Sequence, residues 1–385
     1  MDPVTHTMVG GTLAAAGLRR VTPLATTALL VGANLPDVDV VTAMAGPYAS
    51  LALRRGLTHG IPALLILPLL LTAVLLFWDR RVRRRLEPSG RTAKGLPLLG
   101  ISYLAVATHP TLDWLNNYGM RWLLPFDGRW NYGDALFIID PWVWLILGGG
   151  LFLLHSRRLL SQMLWGLLAA GMSGLMLFSS MVPVPARILW VAGLGGLILV
   201  RVARTKSSEE RDHGHRKRSR RKGEPVARMA LVLAGIYMAV MVGLGFLGRS
   251  YAQAAMEGAQ RTPVTRIMVA PVPANPLGGW VVAETPTAYH TASFSWLRTP
   301  PAVVDHDSIM RLPDSPVLGA ARSVPQVADF LTWSRFPFYQ VSETPTGYRV
   351  RIGDVRYSGR PVGGALSGLT VEMDRSLQGA HVVRP

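Results

Sequence analysis

Three histidines and four aspartates stand in or beside apolar segments, where an unpaired polar group is costly. They are Asp2 and His6; Asp37 and Asp39 within Asn34-Leu35-Pro36-Asp37-Val38-Asp39; His59 after Thr58; and the ends of His109-Pro110-Thr111-Leu112-Asp113. His109 and Asp113 are four residues apart, so on a helix they share one face and can hold one cation with little chain entropy left to lose. A helix-end histidine packed by its neighbours, with a locally bonded aspartate, is the plainer account of that pair. Asp37 and Asp39 point the same way in extended or turn backbone. Each would raise the other's pKa unless a cation lay between them, although an Asx-type turn would also explain them. Asp2 is placed to orient His6. His59 taken singly reads as a structural residue at a helix start. Arg54 and Arg55 precede it and could bind an anionic substrate through bidentate contacts, or lipid headgroups.

Considered jointly, three histidines and three aspartates form an all-nitrogen-and-oxygen donor set that suits one or two divalent ions, zinc or manganese. A metal-bound water is a nucleophile near neutral pH. The chain has no cysteine, which excludes disulfides and thiolate-held zinc or iron–sulfur clusters. There is no Gly-x-Ser-x-Gly elbow, P-loop or dinucleotide fingerprint. His155, His213, His215, His290, His306 and His381 are left outside the site, with Asp305-His306-Asp307 a separate metal or surface feature.

The elements that must position these groups are membrane helices. Apolar runs at 61–78, 96–107, 142–154, 163–181, 188–202 and 230–247 approach the roughly 20 residues a bilayer crossing needs. Two shorter runs, 7–18 and 23–35, flank Arg19-Arg20 as a helical hairpin. The net charge of +17 is concentrated in short loops: 79–94 carries seven Lys/Arg against two acids, and 201–228 carries eleven against four. That distribution argues for cytoplasmic loops and against nucleic acid as a partner. The tract 216–222 could contact RNA or anionic lipid, but a solvated cytoplasmic retention loop is the favoured reading. With the basic loops inside, counting puts His6, Asp37, Asp39, His59, His109 and Asp113 at one outer surface. The start lacks the basic region of a signal peptide and is expected to be mature.

Beyond residue 249 lysine disappears and short alternating runs imply half-buried strands at 280–283, 289–296 and 348–357, with a short helix at 325–333. The expected fold is an α-helical polytopic membrane domain of about eight membrane-associated helices over 1–249, followed by a small β-rich extracytoplasmic domain over 250–385.

The stretches Thr5-His6-Thr7, Leu35-Pro36-Asp37-Val38-Asp39, Arg55-Gly56-Leu57-Thr58-His59 and His109-Pro110-Thr111-Leu112-Asp113 resemble the YdjM/DUF457 family of inner-membrane metal-dependent hydrolases. Tyr118-Gly119, Leu124-Pro125-Phe126 and Asp140-Pro141 extend the likeness, which covers about residues 1–155. The family in turn is similar to zinc-dependent phospholipase C and P1 nuclease, where His-x-x-x-Asp supplies metal ligands to a phosphodiesterase centre. The resemblance implies a multi-pass protein of the bacterial inner membrane, with His6, Asp37, His59, His109 and Asp113 as ligands. It makes Asp39 a ligand or general base and adds Asp140 and Asp134 as further candidates. Arg54 stands where the family often has histidine, so a second metal is absent or differently held.

The function these readings favour is hydrolysis of a phosphoester or lipid-linked substrate at the outer face of the membrane. Asp39 takes the proton of the attacking water, Arg55 stabilises developing charge, and Arg54 and Arg121 bind the anionic substrate. Membrane lipid is the expected partner. The alternatives are a non-enzymatic scaffold that binds through the β domain and, ranked below it, a transporter.

Overall fold

A computed structural model describes residues 1–209, 223–359 and 363–383. The tract 216–222, His213 and His215 lie outside the described residues. Helix α1 (Pro3–Ala15) starts where Asp2 accepts hydrogen bonds from the Thr5 amide (3.0 Å) and hydroxyl (2.6 Å), with proline at the first helical position. A turn at Leu18–Arg20 leads to α2 (Ala25–Gly32), which continues in tighter 3-10 turns over Leu35–Ala45. After α3 (Pro47–Leu53) come α4 (Ile61–Trp78) and α5 (Gly95–Trp114). Next are α6 (Pro141–His155, with a π-type turn at Trp144–Gly148), α7 (Leu159–Phe178), α8 (Val184–Glu209) and α9 (Glu224–Gln260).

Five segments are long and apolar enough to cross a membrane: Ala25–Ala45, Ile61–Leu86, Leu159–Phe178, Val184–Thr205 and Glu224–Gln260. Among the described residues, about eight membrane-associated helices thus reduce to five of crossing length. The 13-residue α1 reaches only about 20 Å, short of a roughly 30 Å hydrocarbon core. Outward-facing Phe77, Leu167 and Leu199, each more than 60% exposed, would be a liability in water but suit lipid.

The chain packs as two compact units. The first comprises Met1–Asp37, Thr58–Gly245 and Ala270–Pro276, and its helices pack closely on one another. Small residues let them approach closely. A Cβ on Gly10 would lie 2.5 Å from the Leu29 carbonyl oxygen, and one on Gly32 would lie 2.7 Å from Ala105 Cβ. Ala25, Ala28, Leu29, Leu98, Ile101 and Ala105 form the seam between α2 and α5. One end of the helices gathers the basic residues. Lys94 donates its amide to Thr22 Oγ1 (2.9 Å), Arg20 pairs with Glu224 (2.6 Å), and Arg228 donates to the Ala16 carbonyl (3.0 Å). The opposite ends of α1, α2, α4 and α5 carry His6, Asp37, His59, His109 and Asp113.

The second unit, Val38–Leu57, Phe246–Val269 and the chain from Leu277, holds two small sheets of four strands, each in chain order. The first has β1 (Arg266–Val272), β2 (Asn275–Glu284), β3 (Ala288–Ser295) and β4 (Ala302–Met310). The second has β5 (Pro337–Thr344), β6 (Gly347–Asp354), β7 (Leu369–Asp374) and β8 (His381–Val383). The alternating runs read from sequence fall in β2, β3 and β6. The helix expected at 325–333 forms as Pro325–Trp333, after Pro316–Arg322. Helix α3 packs against it, with Tyr48 edge-on to Phe330 and its hydroxyl donating to the Gly368 carbonyl.

At the heart of this unit the buried Asp354 carboxylate accepts hydrogen bonds from the Arg335 amide (2.7 Å), Ser334 Oγ (2.8 Å) and the Arg356 side chain (2.9 Å), whose guanidinium lies over Trp333. Burial by itself would push the Asp354 carboxyl up. The adjacent Arg356 charge and these hydrogen bonds prevail and hold it below the ordinary carboxylate range. Because the folded value is depressed, its stabilisation is complete above the unfolded value of about 3.9 and is lost as pH falls through the folded one. Asp354→Asn should therefore cost the β-rich unit about 3 kcal/mol at neutral pH, by stranding a buried guanidinium. Urea-dependent proteolysis of this unit would measure the loss, and the gap between wild type and variant should close only below about pH 4.

Candidate metal centre

Each donor is delivered by a different piece of local structure. Asp37 sits in the 3-10 turn after α2, its amide on the Asn34 carbonyl (3.1 Å), while Asn34 Nδ2 ties that turn to Thr7 Oγ1 (3.0 Å). His59 stands just before α4. The following Gly60 lies under the carbonyls of residues 121, 122 and 124, where a Cβ would come within 3.2 Å of each, and the Ile61 amide donates to the Trp122 carbonyl (3.0 Å). His109 and Asp113 lie one turn apart on α5, both fully buried.

These four residues converge, with one donor atom from each within 4.8 Å of all the others. His59 Nε2 and His109 Nε2 are 3.1 Å apart. Asp113 Oδ2 is 3.4 and 3.7 Å from them, and Asp37 Oδ1 is 3.9 and 3.6 Å from them. The edges of a tetrahedron built on bonds of about 2.1 Å are about 3.4 Å, so the donors are spaced as four ligands of one small cation would be. The tautomers agree. His109 Nδ1 donates to the Ala33 carbonyl at 2.7 Å, which leaves the Nε2 lone pair of the neutral ring facing the cluster. Thr58 Oγ1, 2.9 Å from His59 Nδ1, can hold that ring the same way. Two lone pairs and two carboxylates would then face one another inside an apolar bundle, an arrangement that a dication neutralises. The all-nitrogen-and-oxygen set fits zinc or manganese.

His6 belongs to the layer behind. Its ring stacks on His109 (centroids 3.8 Å, interplanar 15°) and its Nε2 contacts Asp113 Oδ1 at 3.2 Å. The Met1 amino group contacts the same oxygen. His6 therefore orients Asp113 instead of joining the four donors, and Asp2, its expected partner, caps α1. Asp140 also lies apart from the four. Its carboxylate caps α6, accepting from the Trp142 and Val143 amides (both 3.0 Å) and from the Tyr237 hydroxyl (3.0 Å). Asp39 is bound to the arginines that follow it. Oδ2 accepts the Arg55 amide (2.8 Å) and Oδ1 faces Arg54 Nε at 3.5 Å, with Arg55 held at φ 54°. Arg121 is buried with its guanidinium 4.7 Å from the Trp130 ring centre, and Asp134 is buried in the same linker. The Ala33 carbonyl and Gly32 were not foreseen, and Thr58 entered only as the residue before His59. A backbone acceptor has no sequence signature, and a glycine in an apolar run shows its purpose only when a second helix is laid against it.

Residues 1–183 match the family model described as YdjM inner membrane protein. The uncharacterized protein YfhP of Bacillus subtilis (strain 168) is 28% identical over 156 residues, 38% of this chain and 43% of that protein, so the match spans less than half of the relative's length. No solved structure matches.

Gly32→Val tests whether helix spacing sets the centre. The added branch meets Ala105 and parts α2 from α5, which should cost about 1–3 kcal/mol and loosen the Ala33 carbonyl from His109. Metal affinity should fall about 10–100-fold, as when an outer-layer partner is lost. Isothermal titration with zinc would read the affinity and thermal melting the stability.

Proposed function

We propose that this chain, whose residues 1–183 match the family model described as YdjM inner membrane protein, is a membrane-embedded, metal-dependent hydrolase acting on a phosphoester or lipid-linked substrate. The observation that carries the reading is the meeting of Asp37, His59, His109 and Asp113 at one buried point, with His109 turned by the Ala33 carbonyl so that its lone pair faces the other donors. When bound there, zinc or manganese supplies Lewis acidity and a water made acidic enough to attack near neutral pH.

The chain's own residues divide the remaining work. His59, His109 and Asp113 are sealed from their surroundings and hold position. Asp37, with a side chain about one-fifth exposed, is the donor on the open side. His6 fixes the outer oxygen of Asp113, which keeps that carboxylate's other oxygen aimed at the cluster. The carbonyls of the segment 121–124 lie over Gly60 beside His59, and Arg121, its guanidinium on the Trp130 ring, is the buried cation of that segment and the candidate to meet a phosphate group. Asp39, bound to the Arg55 amide and facing Arg54, is better suited to holding those arginines in an anion-binding pose than to taking the proton itself.

The gathering of Arg20, Lys94 and Arg228 at the helix ends remote from the cluster supports a cytoplasmic location for those ends. The metal centre then belongs at the outer surface of the bacterial inner membrane.

Metal analysis of the natively purified chain should find close to one zinc or manganese per chain. His59→Ala and Asp113→Asn should each abolish it and lower hydrolysis of bis(p-nitrophenyl) phosphate by at least about a thousandfold, the scale of losing the activated nucleophile. Full metal content with no hydrolysis of any phosphodiester or lipid phosphoester would leave a metal-stabilised membrane scaffold instead. Absence of metal would refute the centre itself.

A further inference from the structure

On the first unit a cavity of about 320 Å³ runs along α1. Its floor is the small-residue side of α1, Gly11 and Ala14. Its walls are Leu30 from α2, Leu151 from α6 and Leu168 from α7. The groove follows α1 from Val4 to Ala15, about 16 Å at the helical rise per residue, which matches one leaflet of hydrocarbon at roughly 15 Å. Its volume is that of a ligand site and not of a packing defect.

The groove's chemistry is asymmetric. Apart from Thr7 and Thr26 its length is apolar, but at the end shared with the basic loops it is lined by Arg19 and His155. Arg19 is exposed and makes no ion pair or hydrogen bond among the described residues, whereas its neighbour Arg20 is paired with Glu224. An apolar slot one leaflet deep, closed by a cation with no partner among the described residues, is complementary to a single-headed amphiphile with a negative head.

We propose that this groove binds one acyl chain of an anionic glycerophospholipid, with its phosphate on Arg19 and its chain laid along Gly11. The occupant is a lipid of the leaflet on the basic side of the protein. It wedges α1 against α6 and α7 as a structural ligand. This assignment is independent of any hydrolytic activity and requires only that the helices sit in a bilayer.

The test uses the full chain reconstituted in phosphatidylcholine vesicles doped with a phosphatidylglycerol carrying a photoreactive diazirine midway along one chain. In wild type the cross-links should map to peptides containing Gly11 and Leu151. In Gly11→Phe the new ring fills the slot, starting from a Cβ in ordinary contact with Leu151 at 3.4 Å, and those cross-links should vanish while labels on the outer faces of α7 and α8 remain. Arg19→Gln, on an exposed side chain, should lower groove labelling by the phosphatidylglycerol probe about fivefold and leave labelling by a phosphate-free diacylglycerol analogue unchanged. It decides the matter even if Gly11→Phe disturbs helix packing, which thermal melting would reveal. Groove labelling that survives Gly11→Phe, falls equally for both probes in Arg19→Gln, or never rises above that of the outer helix faces would overturn the proposal.

Discussion

The hydrogen bond from His109 Nδ1 to the Ala33 carbonyl is the contact on which the rest of the first unit depends. A histidine that donates from one nitrogen presents a lone pair at the other, and here that lone pair points at His59, Asp37 and Asp113. The bond exists only if α5 lies almost against the backbone of α2. That approach is possible because Gly32 faces Ala105 with no room for a side chain, and α1 closes on α2 in the same way at Gly10. The small residues in these apolar runs are thus part of the chemistry at one remove: they set a backbone spacing that a polar side chain then uses.

The polar cluster also explains why this end of the bundle must be well built. Removing two imidazoles and two carboxylates from water is tolerable only with charge balance and saturated hydrogen bonding. His6 on Asp113, Asn34 on Thr7 and the linker carbonyls over Gly60 supply the outer layer. The other end follows a different rule. There the charges are exposed or paired across helices, as in Arg20 with Glu224.

In the β-rich unit the same principle of a satisfied buried ion appears in a more ordinary role. Asp354 collects amides, a hydroxyl and a guanidinium at the turn after β6, and the aromatic rings of Trp333 and Tyr357 cover Arg356. The segment Val38–Leu57, which joins two of the metal donors in sequence, is folded into this unit through α3 and Tyr48.

The sequence by itself determined the membrane class, the strand-rich region after the last long helix, the helix over 325–333, and the pool of histidines and aspartates from which the donors are drawn. Apolar run length, alternation and the four-residue spacing of His109 and Asp113 are local patterns, readable without coordinates. Tertiary structure alone decided which acids stand with those histidines. Asp37, Asp39 and Asp140 all look alike in sequence, each beside an apolar run and a proline or valine. Only the crossing of α2 with α5 brings Asp37 to His59 and His109, while Asp39 turns to the Arg55 amide and Asp140 to the first turn of α6. A carboxylate goes to whichever donors the fold leaves nearest. That choice depends on helix packing distances fixed by residues such as Gly32 and Ala105, far apart in the chain and silent about chemistry until they touch.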